Sequence, residues 1–212
     1  VQMQIVAGKE IDYTLCRPTD RFDQTSVQWD LNYFKYCYLK NAHINFDEYK
    51  LEQDFEQIKQ SVAGADNSHF MFRDFQSRNI MLKNDVPYYI DFQGGKHGPL
   101  LYDVASLLYQ AKAKLSEPVR DELFSKYVEA LSQFIRTDTD KLYHEFKLFA
   151  LLRTLQVLGA YGYRGYFEHK QHFTESIPFA LQNLKNLLSK TDLNIPHIKN
   201  IINNINIMNC NE

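Results

Sequence analysis

The 212-residue sequence predicts an α+β domain that is mainly α, a helical body carrying one small β-hairpin. Three observations carry that expectation. Apolar residues recur at helical spacing over most of the chain, and one stretch near residues 70–90 instead holds two short apolar runs around a polar turn. No internal repeat and no Pro/Gly-rich linker divides the sequence.

The elements follow in order. Ser26 is placed to cap a helix whose Val27, Leu31, Phe34 and Tyr38 recur on one face. Asp47 is placed to cap a second, striped by Leu51, Phe55, Ile58 and Val62, with Gly64 as its stop. Phe70-Met71-Phe72 is an apolar run entering a polar loop. Ile80-Met81-Leu82 and Val86-Pro87-Tyr88-Tyr89-Ile90 flank Lys83-Asn84-Asp85, which reads as a hairpin turn. A helix opens at Pro99 and runs from Leu100 to about Lys114. The next has Pro118 in its first turn and Leu123, Tyr127, Leu131 and Phe134 as its stripe. Further helices span about Lys141 to Leu158 and Ser176 to Leu188, and an Asn-rich stretch, 200–211, closes the chain as a biased tail. Gly159, Gly162 and Gly165 alternate with Tyr161, Tyr163 and Tyr166. They read as a helix end that approaches a neighbour closely, with a sugar-stacking surface as the alternative.

Composition narrows the function classes. A formal charge of −2 provides no global attraction to nucleic acid or to a membrane surface. No apolar run is long enough to span a bilayer and the N-terminus lacks a signal-peptide pattern, so a cytoplasmic protein is expected. Cys16, Cys37 and Cys210 are odd in number and far apart, which suits reduced packing thiols rather than disulfides or zinc. The seven His show no ligand spacing.

The chemistry concentrates in Phe72-Arg73-Asp74-Phe75-Gln76-Ser77-Arg78-Asn79 and Tyr89-Ile90-Asp91-Phe92. An Asp, then an Asn, then a second Asp after a short apolar segment is the order in which a phosphoryl-transfer site collects its general base and two metal ligands. Asp74 is the expected catalytic base for a hydroxyl, and Asn79 and Asp91 are the expected oxygen ligands of Mg²⁺. Taken singly, Asp-x-x-x-x-Asn suits any polar loop, and an acid after Tyr-Tyr-Ile is more often a strand-end cap. The hairpin makes the combination specific, because it returns the chain from Asn79 to Asp91.

With its continuation Gly98-Pro99-Leu100-Leu101-Tyr102-Asp103-Val104-Ala105-Ser106-Leu107-Leu108, this region resembles the aminoglycoside phosphotransferase and choline kinase-like superfamily. Within that superfamily it is most similar to bacterial sugar 1-kinases related to N-acetylmuramate/N-acetylglucosamine kinase. The close match runs from about Phe70 to Ala111. The resemblance implies a protein-kinase-like C-terminal lobe over 1–190, a tail over 191–212, and a hairpin carrying the metal ligands. It implies ATP as co-substrate, Mg²⁺, and an amino-sugar anomeric hydroxyl as acceptor in cell-wall sugar recycling. It assigns Asp103 to structural support of the catalytic loop. Phe72 departs from the pattern, standing where relatives commonly have His.

Arg73, Gln76, Arg78 and Gln93 surround the expected base and are the candidate substrate-binding residues, since Gln and Arg donate to sugar hydroxyls or carboxylates. Gly94-Gly95 reads as a turn rather than a phosphate cradle. The residues before Asp74 read as helices, with no Gly-x-Gly-x-x-Gly and no strand lysine for the phosphates, and Val1 is not an initiator Met. The expectation is a chain without its N-terminal ATP-binding lobe, inactive alone. Two other classes stay open: a kinase of an aminoglycoside or choline-like acceptor, and a non-catalytic module that kept the fold. Acids such as Glu117, Asp121, Glu122 and Glu129 are spread rather than clustered, which favours a neutral or anionic acceptor.

Overall fold

A computed structural model of the chain describes residues 1–205. In chain order the elements are α1 (Gln2–Ile5), α2 (Gln24–Tyr33), α3 (Glu48–Val62), β1 (His69–Met71), β2 (Ile80–Lys83), β3 (Val86–Tyr89), β4 (Lys96–Gly98), α4 (Leu100–Leu108), α5 (Glu117–Ser132), α6 (Thr139–Gly162), α7 (Gln171–Thr174), α8 (Ile177–Lys190) and α9 (Pro196–Asn204). The mainly helical α+β character read from the sequence is present. No described helix is long and apolar enough to cross a membrane. The chain divides into two compact units: Val1–Asp23, Ala65–Gln110 and Leu115–Phe146 form the first, and Gln24–Gly64, Ala111–Lys114 and the chain from Lys147 onward form the second.

The first unit contains both small sheets. β1 pairs antiparallel with β4, His69 opposite Gly98 and Met71 opposite Lys96. β2 pairs with β3, Ile80 opposite Tyr89 and Lys83 opposite Val86. The two residues between them, Asn84 and Asp85, have φ of 51° and 61°. A two-residue loop with both residues left-handed matches the right-handed twist of a hairpin, and Asn and Asp tolerate that backbone better than most side chains. Pro87 faces Leu82, one pair beyond the residues that close the turn. That is a non-hydrogen-bonded pair, so the N–H that Pro lacks would have pointed outward, and the ladder loses nothing. Behind the strands, Ile5, Leu100 and Leu131 are buried together, with Tyr127, Ile135 and Leu142 packed against them.

Helix α5 shows where helical spacing misled. Its buried face is Arg120, Phe124, Val128 and Leu131, whereas Leu123 and Phe134, expected in the stripe, are exposed. The face lies one residue away from the expected one because Arg120 belongs to it. The Arg120 Nε–H donates to the Leu108 carbonyl at 3.1 Å, and its guanidinium lies 4.2 Å from the Tyr109 ring centroid. A planar, weakly hydrated cation that stacks on a ring is buried at lower cost than a strongly hydrated ammonium.

The second unit is helical. Asp47 caps α3 as expected, its side chain accepting from the Lys50 N–H at 3.1 Å. Ser26 is not a cap: α2 begins at Gln24, so Ser26 is a buried residue of its first turn. α2 widens into a π-helical segment, Phe34–Lys40, and α6 does the same at Tyr163–Phe167. Helix α9, within the stretch expected as tail, packs on α3 and α8. The buried Asp54 carboxylate accepts from the Ile198 N–H at 2.7 Å, satisfying one of the unpaired donors at the α9 N-terminus. Of the Asn-rich stretch, positions 206–211, Cys210 among them, lie outside the described residues.

The glycine series at the end of α6 is explained by close approach. A Cβ on Gly159 would stand 2.6 Å from the Tyr33 backbone, and one on Gly162 would overlap the Cys37 carbonyl oxygen. Both obstacles are main chain and cannot rotate away. Gly162→Val should therefore destabilise the second unit by about 3 kcal/mol, the upper end of overpacking costs. A urea titration checks this by a lowered midpoint, and an unchanged midpoint would mean that the two helices separate freely.

Candidate active site

The site is assembled by the first unit. β1 delivers the chain into the loop Phe72–Asn79, and the hairpin returns it to Asp91. The Ile90 N–H donates to the Asn79 carbonyl at 3.0 Å, extending the β2–β3 pairing up to the two expected ligands. The hairpin thus sets Asp91 beside Asn79, as the spacing required.

Asn79 is buried, at 5% exposure. Its Nδ2–H₂ group donates to the Asp74 carbonyl at 2.8 Å and approaches Asp91 Oδ2 at 3.4 Å. A carbonyl can only accept, which fixes the amide orientation and makes Oδ1 the atom with lone pairs for a cation. One side chain therefore touches both other members of the expected triad. Asp74 is half-buried and Asp91 exposed. The donor set is one neutral and one anionic oxygen, which suits Mg²⁺, an ion that keeps several waters and takes phosphate oxygens. Among the described residues no group of three or more His, Cys, Asp or Glu side chains is arranged to hold a metal.

The loop backbone is held in an uncommon shape. Arg73 has φ of 73° and Asp91 has φ of 67°. Non-glycine residues stay there only when their surroundings impose it. At Arg73 the cause is visible: the buried Asp103 carboxylate accepts from the Phe72 N–H at 2.7 Å and the Arg73 N–H at 2.8 Å. Asp103 in turn lies 3.4 Å from Gln4 Nε2, which donates to the Leu100 carbonyl at 2.9 Å. The Tyr127 hydroxyl donates to Gln4 Oε1 at 2.8 Å, and burial pushes that phenol's pKa up. Nothing in the sequence pattern links Gln4 or Tyr127 to the loop, because both reach it only through the fold.

The candidate substrate residues differ in placement. The Gln93 Nε2–H₂ group donates to Asp91 Oδ1 at 2.7 Å, so it holds the Asp91 carboxylate rather than facing away from it. Arg73 and Gln76 are half-buried on the loop and Arg78 is exposed. Phe72, in the position where His was the pattern, is buried edge-on against Phe75, ring centroids 5.7 Å apart, and Phe75 lies at the same distance from Tyr89. Gly94-Gly95 forms the expected turn, with the Gly95 N–H donating to the Phe92 carbonyl at 2.9 Å. A Cβ on Gly95 would stand 2.7 Å from the Phe70 ring, so a packing constraint accounts for that glycine.

The chain is 31% identical over 170 residues to the N-acetylmuramate/N-acetylglucosamine kinase of Neisseria meningitidis serogroup B, covering 77% of this chain and 51% of that one. It is 38% identical over 58 residues to the protein of the same name from Pseudomonas aeruginosa, covering 27% of this chain and 17% of that one. The chain thus spans about half the length, or less, of these relatives. Residues 14–144, more than half of the chain and including every residue of the Asp74–Asn79–Asp91 cluster, match the model of the phosphotransferase enzyme family, and the chain belongs to that family.

Proposed function

We propose that the chain is the acceptor- and metal-binding lobe of a cytoplasmic, ATP-dependent small-molecule kinase, and that its acceptor is the anomeric hydroxyl of an amino sugar in cell-wall sugar recycling. The observation that carries the reading is the contact of one amide, Asn79 Nδ2, with both the Asp74 carbonyl and the Asp91 carboxylate. The acceptor follows from the two relatives, both named as N-acetylmuramate/N-acetylglucosamine kinases. The spread of acids agrees with a neutral or anionic sugar: Glu122 is paired with Lys126, and Asp121 accepts from the Tyr143 hydroxyl.

In this reading Asp74 orients the acceptor hydroxyl and takes its proton as that oxygen bonds to the γ-phosphorus of ATP and the bond from the γ-phosphorus to the bridging oxygen breaks, ADP leaving. Asn79 Oδ1 and the Asp91 carboxylate would hold Mg²⁺, which would neutralise charge on the phosphate oxygens. Gln93 fixes the Asp91 carboxylate, and Asp103 holds the backbone just before Asp74. A further lobe of the same polypeptide supplies the cover over the nucleotide. Leu82, Val86, Tyr88, Tyr89, Ile90 and Phe92 support that part of the reading, since they leave apolar side chains exposed on both faces of the hairpin and on the segment that follows it.

The test is labelled ATP with Mg²⁺, the full-length protein and separate acceptors. Sugar 1-phosphate from N-acetylglucosamine or N-acetylmuramate is the expected product. Transfer only to an aminoglycoside or to choline would replace the sugar assignment. Transfer to no acceptor, with the nucleotide still bound, would favour a binding module.

Asp91→Ala in the full-length protein should remove Mg²⁺-dependent nucleotide binding, since Asp91 is the one anionic ligand of the pair. Asp91→Asn is the companion variant, because Asn tolerates a left-handed backbone and so isolates the charge. Calorimetric titration of Mg-ATP reads both, and unchanged affinity would leave Asp91 a structural residue.

A further inference from the structure

Asp103 secures one end of the loop Phe72–Asn79, and the other end is also tied to the α4 segment. Gln110 lies just beyond the last turn of α4, and its Oε1 accepts from the Ser77 N–H at 3.2 Å and from the Ser77 hydroxyl at 2.7 Å. Its Nε2–H₂ group donates back to the Leu107 carbonyl at 3.0 Å, so the amide is held at both ends. The backbone N–H can only donate, which fixes which end of the amide faces Ser77. Ser77 opens the short 3₁₀ turn Ser77–Asn79 whose last residue is Asn79.

The two anchors divide the loop. Asp103 holds Phe72 and Arg73, the residues before Asp74, and Gln110 holds the turn that ends in Asn79. Asp103 lies within α4 and Gln110 two residues past its end, held back onto it through the Leu107 carbonyl, so both anchors of the loop come from one short stretch of chain. A 3₁₀ turn this short has little internal stability and depends on outside contacts.

We infer that Gln110 is a positioning residue for Asn79, setting the metal-ligand half of the site as Asp103 sets the base half. The inference rests on the proposed kinase reading. It predicts a division of labour: losing Gln110 disturbs the metal requirement and leaves the backbone around Arg73 in place.

The experiment compares Gln110→Leu, Gln110→Glu and Ser77→Ala in the full-length protein. Gln110→Leu removes both acceptor contacts. Hydrogen exchange at the Ser77 and Asn79 amides should accelerate about 10-fold, in proportion to the hydrogen bonds lost, with the Phe72 and Arg73 amides unchanged. The Mg²⁺ concentration for half-maximal turnover should rise about 3- to 10-fold, more than the KM for the acceptor changes. Ser77→Ala, which keeps the backbone contact, should fall between Gln110→Leu and the parent. Gln110→Glu still accepts from both Ser77 donors and should restore most of the exchange protection. Parent-like exchange and Mg²⁺ dependence in Gln110→Leu would overturn the inference, as would a Gln110→Glu protein as loose as Gln110→Leu. The kinase reading fails separately, by absence of transfer in the parent protein, and the exchange measurement then still decides whether Gln110 holds the turn.

Discussion

Asp74→Asn in the full-length protein should abolish turnover while leaving the fold intact. The Asp74 carbonyl, not its carboxylate, anchors Asn79, and Asn at position 74 keeps that carbonyl. The carboxamide is close in size to the carboxylate but cannot accept a proton from the acceptor hydroxyl. Loss of a general base costs about 10²- to 10⁴-fold in rate. The measurement is kcat with an amino-sugar acceptor, beside a urea titration that should not move. A near-normal kcat would sink the assignment of Asp74 and return the site to a structural loop.

The second large effect concerns residues 1–212 alone. The chain should fold, since buried residues support each unit, yet bind ATP poorly and transfer no phosphate. In the proposed reading this chain provides base and metal ligands, and another lobe covers the adenine and holds the β-phosphate. Without that hold the γ-phosphoryl group is not kept in line with the acceptor, and positioning accounts for about 7–11 kcal/mol of a barrier. Labelled ATP incubated with the purified chain, Mg²⁺ and N-acetylglucosamine decides it. Labelled sugar 1-phosphate at the rate of the full-length protein would mean that the first 70 residues hold a nucleotide-binding element that their pattern does not reveal.

What was legible in the sequence was local. The Asp47 cap and the opening of α4 after Pro99 each depend on a few adjacent residues and stand where the pattern put them; the triplet Lys83-Asn84-Asp85 marked the hairpin, but its turn is Asn84-Asp85 alone, with Lys83 paired to Val86 at the end of β2. The approach of Asn79 to Asp91 was legible for a similar reason, because a short hairpin between them sets the start of one strand beside the end of the other. Long-range supports were not. Gln110, Gln4 and Tyr127 carry no periodic or compositional signal, and only the folded chain brings them to Ser77 and Asp103. Arg120 was hidden for a different reason. Spacing counts an arginine as solvent-facing, whereas stacking on Tyr109 makes it part of the buried face. The start of α2 at Gln24 shows that a Ser beside an apolar run marks a helix end only to within a turn.

The β2–β3 ribbon has a consequence for handling the protein. A sheet of two strands leaves each strand with one open edge. On β3, Pro87 removes an outward donor, which discourages a foreign strand from pairing there. β2 has no such device: Ile80-Met81-Leu82 presents an intact edge with Leu82 at 73% exposure. Purified by itself at high concentration, the chain would meet copies of the same edge, and intermolecular strand pairing competes with staying monomeric. A lysine at position 82, on the side chain that is already in water, would oppose that pairing through charge repulsion without touching the loop, the turn or the Asn79 and Asp91 side chains.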